Sequence, residues 1–232
     1  MKRTLRILLL FGIVAICISF AHAEQRPEKA LCPVCAVHGE TKLEKVKAEV
    51  EYKGRGYYFC SDNCRKEFEL DRAAYIPAKL PRPAPPFVVE TLDGRDVASD
   101  FVGKVTLVDF WATWCKPCEK IMPELQRLFE KYSGEGFQVL GISIDEDKDR
   151  VSRINKYLKK HRISYPVFSD AKKVPAWHTY RVKAVPAMFL VDRSGQITAE
   201  WRGTVDHELL AREVVRLVGE GSPTEPESTS GF

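Results

Sequence analysis

One stretch restricts the fold more than any other: the apolar run Val105–Trp111, which leads into the pair Cys115-Lys116-Pro117-Cys118. After the pair, apolar residues recur every three or four positions, as in an amphipathic helix. The sequence therefore predicts a strand that stops before the pair and a helix that begins inside it. Cys115 then lies at the helix N-terminus, where unpaired N–H groups and the helix dipole stabilise a thiolate. Cys118 lies about one turn further along, so we predict thiol–disulfide exchange, with Cys115 as nucleophile and Cys118 as resolving thiol.

The segment around the pair, WATWCKPC, resembles the thioredoxin superfamily, and more closely its exported TlpA-like and ResA-like branch. A second match, AVPAMFLVD at residues 184–192, is similar to the family's segment in which a cis proline faces the cysteine pair. The resemblance covers roughly residues 84–219 and implies an α/β, thioredoxin-like fold, with a central mixed sheet flanked by helices. It also implies that Pro186 is the cis residue and that the Val185 backbone pairs with bound substrate.

Asp109 stands in an otherwise apolar strand, where an uncompensated carboxylate is costly. Two interpretations are open. The resemblance implies that Asp109 is the buried acid that relays the proton of the resolving cysteine, although many TlpA-like proteins have Asn there. The alternative is a polar side chain that reaches solvent at the end of the strand.

Three neighbours of the cysteines are predicted to tune the pair, which is expected to be a redox-active disulfide. Lys116 places positive charge beside the thiolate and favours its ionised form. Pro117 shapes the turn into the helix, and Trp114 is interpreted equally well as a packing residue or as part of the substrate surface. A peroxidase is not indicated, because the P-x-x-x-T-x-x-C pattern of peroxiredoxins is missing before Cys115.

A small module at residues 30–77 carries four cysteines in two close pairs: Cys32, Cys35, Cys60 and Cys64. Between the pairs, strand-like segments on either side of a Gly-Arg-Gly turn predict a hairpin. Asp62 is predicted to cap a short helix that starts at the second pair. The result is an α+β module in which four thiolates can converge tetrahedrally on one soft metal ion.

The same module resembles the YHS/TRASH family of metal-binding domains through CPVC, EYKGRGYYFCSDNC and the following Phe68 and Tyr75. The resemblance implies zinc, copper or another thiophilic ion held by the four cysteines, although Cys32 departs from many members. The alternative is two disulfides, which would staple a module too small to rely on its core alone. His38 is interpreted as a turn residue rather than as a ligand.

The ends and the middle of the chain define its organisation. Residues 1–23 combine a basic start, an apolar centre and an Ala-His-Ala site, which predicts a cleaved signal peptide and an exported, periplasmic protein. The alternative is an uncleaved membrane anchor, which the short apolar centre disfavours. Residues 78–86 are a proline-rich linker, residues 87–219 the thioredoxin-like domain, and residues 220–232 a tail predicted to be disordered. Loss of the leader lowers the net charge from +4 to about +1, and basic residues alternate with acidic ones, so nucleic acid is not an expected partner.

These features together predict a monomeric, exported thiol–disulfide oxidoreductase. It is expected to reduce disulfides in the cysteines of metal- or haem-receiving proteins, as in cytochrome c maturation, with electrons from a membrane thiol transporter. The alternative is a periplasmic metallochaperone whose thioredoxin-like domain serves mainly as a scaffold. The joint presence of Cys115, Pro117, Cys118 and Pro186 argues against that alternative, because a scaffold does not need them together.

Overall fold

The computed structural model describes residues 26–170 and 172–220. The predicted signal peptide, and the predicted tail apart from its first residue, lie outside these ranges. Within the described ranges, no helix is both long enough and apolar enough to cross a membrane.

The described chain forms a small N-terminal module followed by a larger domain. The strands of the module are β1 (Lys29–Ala30), β2 (Glu44–Lys45), β3 (Ala48–Tyr52) and β4 (Arg55–Phe59), and its helices are α1 (Pro33–Val37), α2 (Asp62–Leu70) and α3 (Arg72–Tyr75). The strands of the larger domain are β5 (Arg82–Pro83), β6 (Val88–Thr91), β7 (Asp96–Ala98), β8 (Val105–Trp111), β9 (Phe137–Ser143), β10 (Val167–Ser169), β11 (Ala187–Val191) and β12 (Gln196–Arg202). Its helices are α4 (Lys116–Tyr132), α5 (Arg150–His161), α6 (Ala176–Thr179) and α7 (His207–Gly219).

A mixed sheet organises the larger domain, and its strands in the described chain follow the order β5-β12-β11-β8-β9-β10-β6-β7. Strand β8 is central, parallel to β9 and antiparallel to β11. Every residue of β8 is buried, because both faces of the sheet are covered, and this explains its nearly continuous apolar sequence. The carboxyl end of β8 leads directly to the N-terminus of α4.

Successive side chains of β8 point to opposite faces of the sheet. The odd-numbered apolar residues lie in the core that α4, α5 and α7 cover: Val105, Leu107 and Trp111. The even-numbered ones lie in the opposite core: Val108 and Phe110. Asp109 follows the odd-numbered set, so its carboxyl group points toward the core that also contains Cys115 and Cys118.

The N-terminal module has the predicted hairpin, β3–β4, and packs it with α1 and α2 around buried aromatic residues. Its helix α2 begins differently from the prediction. Ser61, not Asp62, is the N-cap, and its hydroxyl accepts a hydrogen bond from the N–H of Cys64 at 3.2 Å. Asp62 occupies the first turn, where its negative charge interacts favourably with the helix dipole. Ser and Asp are about equally good caps, so composition alone does not choose between them.

The proline-rich segment is part of the sheet rather than a free spacer. Arg82 and Pro83 form β5, which pairs with the edge of β12. Arg82 also forms an ion pair with Glu200 of β12 at 3.1 Å. This pairing shortens the connection between the two units to a few residues.

The two units also touch directly. Asp71 of the module forms ion pairs with Arg181 at 2.7 Å and with Lys183 at 3.1 Å. A Cβ atom at Gly203 would lie 2.6 Å from the backbone nitrogen of Gly39, so this close approach of the two backbones requires glycine. The module is therefore held against the segment that leads into Pro186.

Candidate functional site

The cysteine pair lies where strand β8 passes into helix α4. Cys115 is the N-cap of α4 and is joined to Cys118 by a disulfide. The N–H of Cys118 donates to Cys115 Sγ at 3.2 Å. Cys115 is 5% exposed and Cys118 is fully buried, so Cys115 presents the sulfur that a substrate can reach. In the reduced pair, the helix N-terminus stabilises a thiolate at Cys115.

The segment around Pro186 lies next to this turn. The Val185–Pro186 peptide bond is cis. The carbonyl of Pro186 accepts a hydrogen bond from the N–H of Gly203 at 2.9 Å. Ala187, the first residue of β11, pairs with Phe110 near the end of β8. This register brings together two segments that lie far apart in the sequence.

A groove of about 430 Å³ separates the Pro186 segment from the turn that carries the cysteines. Its apolar lining comes from Trp114, Ile144, Trp177, Val182, Ala184 and Val185. Trp114 is 62% exposed, so its ring is available to a bound chain and does not serve the core. Glu146, Asp147 and Lys183 add charged groups to the same groove.

Asp109 is fully buried, and neither of its carboxylate oxygens has a hydrogen-bond partner among the described residues. The interpretation in which this side chain reaches solvent at the strand end is therefore wrong. Burial disfavours the charged form and raises the pKa of Asp109 to about 7. The carboxyl group can thus accept or release a proton near neutral pH.

The four cysteines of the N-terminal module form one cluster. Their Sγ atoms all lie within 4.8 Å of one another, with 3.5 Å between Cys35 and Cys60 and 3.7 Å between Cys60 and Cys64. All four are free thiols, and Cys32 is the buried one. Four sulfurs bound tetrahedrally at about 2.3 Å from zinc would be about 3.8 Å apart, so the donor set and its spacing fit one thiophilic ion. His38 is not part of the cluster.

Comparison with known proteins agrees with this geometry. The AhpC/TSA family model matches residues 80–200, more than half of the chain, and the YHS domain model matches residues 33–79. ResA, a thiol–disulfide oxidoreductase of Bacillus thuringiensis subsp. konkukian, is 35% identical over 140 residues, which are 60% of this chain and 79% of the relative. The chain belongs to the ResA-like thiol–disulfide oxidoreductases of the AhpC/TSA family. The predicted family is confirmed.

Solved structures place this oxidoreductase in the same group. A Chlorobium tepidum protein described as thiol:disulfide interchange protein DsbE has 30% identity and a TM-score of 0.55, covering 62% of this chain and 100% of its own. A thiol:disulfide interchange protein from Bacteroides sp. has 25% identity and a TM-score of 0.54, covering 66% of this chain and 98% of its own. The predicted thioredoxin-like fold, preceded by a YHS domain, is confirmed.

Asp145 is a residue of this oxidoreductase's site that sequence reasoning missed. It is 2% exposed and accepts hydrogen bonds from the N–H of Thr113 at 2.9 Å and from the Thr113 hydroxyl at 2.6 Å. These bonds fix the turn between β8 and Cys115. The sequence contains an indication of this role, because Asp145 comes just after β9. Strands β8 and β9 are parallel, so their carboxyl ends meet at the same edge of the sheet, where ligand and active sites commonly form.

Lys116 stands beside the disulfide, but its charge has an acidic neighbour. The side chain is 86% exposed, and Nζ lies 3.5 Å from Glu119 Oε2. Lys160 and His161 of α5 also face Glu119, at 3.8 Å and 3.5 Å. The charge near the cysteine pair therefore depends on all four side chains together (Lys116, Glu119, Lys160 and His161) rather than on Lys116 alone.

Proposed function

We propose that this oxidoreductase is an exported reductant that opens disulfides in protein cysteines destined to receive a metal or haem. The observation that supports it is the occurrence, in one chain, of a dithiol site beside a substrate-sized groove and a four-thiol cluster suited to a metal. The similarity to ResA, a thiol–disulfide oxidoreductase, supports the exchange chemistry of the cysteine pair. The electrons would come from a membrane thiol transporter, consistent with the leader-like residues 1–23.

The proposed reaction proceeds in two exchanges. The Cys115 thiolate attacks one sulfur of the substrate disulfide, forming a mixed disulfide and releasing the other sulfur as a thiolate. Cys118 then attacks Cys115 Sγ, so the Cys115–Cys118 disulfide forms and the second substrate sulfur leaves. The enzyme pair loses two electrons to the substrate, and the two substrate thiolates take up their protons from solvent. A membrane donor dithiol would return the enzyme to its reduced state.

Each remaining site residue has a proposed role in these exchanges. Asp109 takes the proton that Cys118 loses when it becomes the nucleophile of the second exchange. The backbone of Val185 pairs with the substrate chain beside Pro186, and Trp114 covers the adjacent part of the chain. Lys116 and Pro117 tune the stability of the thiolate and the shape of the turn.

The YHS domain is proposed to hold one zinc or copper ion through Cys32, Cys35, Cys60 and Cys64. The bound ion would crosslink α1, whose N-cap is Cys32 and which contains Cys35, to Cys60 after β4 and to Cys64 in the first turn of α2. A pure metallochaperone with an inert second domain has less support, because Cys115, Pro117, Cys118 and Pro186 are present together and a scaffold would not need them.

Metal uptake by the YHS domain should depend on reduced thiols. Anaerobically reduced protein should retain close to one zinc or copper ion per chain after gel filtration, and the Cys60→Ser variant should lose most of it. Cys60 is the appropriate choice because its sulfur is near both Cys35 and Cys64. Elemental analysis is the readout. The Cys115→Ser variant is the matched control and should keep its metal; absence of metal from reduced wild-type protein would contradict the proposal.

The reductive direction is tested by the reduction potential of the Cys115–Cys118 pair. A reductant supplied by a membrane donor should have a potential near or below about −250 mV, in the range of thioredoxin.

A further inference from the structure

A group of buried polar side chains surrounds the place where Asp109 lies, and the mechanism above does not use them. Besides both Asp109 oxygens, Trp111 Nε1, Tyr157 OH and Tyr165 OH are buried without a hydrogen-bond partner among the described residues. Leaving a buried polar atom without a hydrogen-bond partner is costly, so several such atoms on one face of the sheet require a common explanation.

The geometry brings these groups to one place. Gly141 of β9 is the register partner of Asp109 in β8. A Cβ atom at Gly141 would lie 3.0 Å from Tyr165 Cε2 and 3.4 Å from Trp111 Nε1, so both rings border the position beside Asp109. Tyr157 stacks at a tilt on Trp111, with 5.1 Å between ring centroids.

The same group continues outward to the protein surface. The His161 ring lies 4.3 Å from the Tyr157 ring, one helical turn along α5. His161 Nε2 is itself buried and lies 3.5 Å from Glu119 Oε1, while the His161 side chain as a whole is 16% exposed. Trp111, Tyr157, His161 and Glu119 therefore form a series of neighbouring side chains that leads from the core beside Asp109 toward the surface.

We propose that Tyr157 and Tyr165, with His161 at the outer end, form a proton path that connects the buried Asp109 carboxyl group to solvent through water held between them. This inference rests on the proposed role of Asp109 as proton acceptor for Cys118. A buried water makes about three hydrogen bonds to otherwise unpaired groups, which is what these side chains offer.

The protonation states of the two phenols suit this task. Burial, with the charges of Glu119 and Asp109, raises the pKa of Tyr157 to about 12. Burial and then Asp109 also raise the pKa of Tyr165. Both phenols therefore stay neutral, and a neutral hydroxyl both donates and accepts a hydrogen bond. The charged groups at the outer end are Glu119, Lys160 and Lys116.

The transfer is balanced and involves no further redox change. When the Cys118 sulfur displaces the reduced product, its thiol proton passes to the Asp109 carboxylate. That proton then moves through water and the phenol hydroxyls to the His161 imidazole and to solvent. Asp109 returns to its charged form and is ready for the next turnover.

The test measures the two exchanges separately in single turnovers with a disulfide peptide, over a range of pH and in H₂O and D₂O. Tyr157→Phe and Tyr165→Phe should each slow resolution of the mixed disulfide about tenfold, which is part of the roughly 10²–10⁴-fold that positioned proton transfer contributes. Formation of the mixed disulfide should be unchanged. His161→Gln should slow resolution as well, and added imidazole should restore the rate in that variant alone.

Two matched controls bear on the assignment. Tyr132→Phe, at the far end of α4, and His207→Gln, at the exposed start of α7, should resolve the mixed disulfide at the wild-type rate. If a Tyr→Phe variant does not fold, the His161→Gln variant still tests the path. Slow resolution that imidazole restores would support the path, and a wild-type rate would contradict it.

The outcomes separate this inference from the proposed function. One outcome would overturn the path and leave the Asp109 role intact. In that case Tyr157→Phe, Tyr165→Phe and His161→Gln would all resolve the mixed disulfide with wild-type rates and solvent isotope effects, while Asp109→Asn would be slow. Wild-type resolution in Asp109→Asn itself would overturn both.

Discussion

Replacing Cys118 by Ser should stop turnover and trap substrate on Cys115. The first exchange needs only Cys115, the more accessible of the two sulfurs at 5% exposure, whereas the second needs the fully buried Cys118 thiol. A well-oriented intramolecular group acts at an effective concentration of about 10⁵ M or more, so an external thiol at about 1 mM cannot replace it. Resolution should therefore slow by at least about 10³-fold, and a mixed disulfide should accumulate, visible by non-reducing electrophoresis and intact mass.

The matched control is Cys115→Ser, which should trap nothing because the reachable sulfur is gone. Trapping through Cys118 in that variant would reverse the assignment of the two cysteines. Both variants should keep the metal content of the wild type, since the YHS cluster is a separate set of cysteines.

Replacing Asp109 by Asn should remove a pH dependence from the stability of the oxidised protein. Burial raises the pKa of Asp109 from its ordinary 3.8 to about 7, so the folded state holds this proton more tightly than the unfolded state does. The contribution of this bound proton to the free energy of unfolding is fully present below about pH 4, falls as the pH rises, and is lost above about pH 7. About three pKa units correspond to about 4 kcal/mol, which is an upper estimate.

Urea unfolding from pH 4 to pH 8.5 measures this effect. The free energy of unfolding of the wild type should fall relative to that of Asp109→Asn by a few kcal/mol across this range. Parallel pH profiles for wild type and Asp109→Asn would show that Asp109 titrates normally.

The same Asp109→Asn variant should separate the two exchanges kinetically. Mixed-disulfide formation should be nearly unchanged, while resolution should slow by roughly 10²-fold, because only the second exchange removes a proton from Cys118. Equal effects on both steps would exclude a specific role in resolution.

Local sequence patterns predicted the central part of the fold. The apolar run of β8, the cysteine pair and the periodicity of α4 are contiguous in the chain, so spacing alone indicates how they join. The structure has α4 at Lys116–Tyr132 with Cys115 as its N-cap, as the pattern indicated. The hairpin β3–β4 and its neighbouring cysteines were equally local.

Contacts between distant segments were beyond the same reasoning. Asp145 supports the turn before Cys115 from the end of another strand, and Tyr157 and Tyr165 approach Asp109 only after α5 and β10 have packed. The pairing of β5 with β12, and of Asp71 with Arg181, depends on which surfaces meet. The sequence alone does not show which of these surfaces come into contact, because the same Arg or Tyr residue can be exposed in one fold and buried in another.

The Cys115–Cys118 pair is proposed to work as a reductant, and its reduction potential is the most direct measurement of that role. Metal-loaded protein would be equilibrated in thiol buffers of defined potential, alkylated, and the peptide carrying both cysteines quantified by mass. A value near or below about −250 mV is predicted. A value of about −120 to −180 mV would instead identify an oxidase or isomerase and would contradict the proposed direction of electron flow.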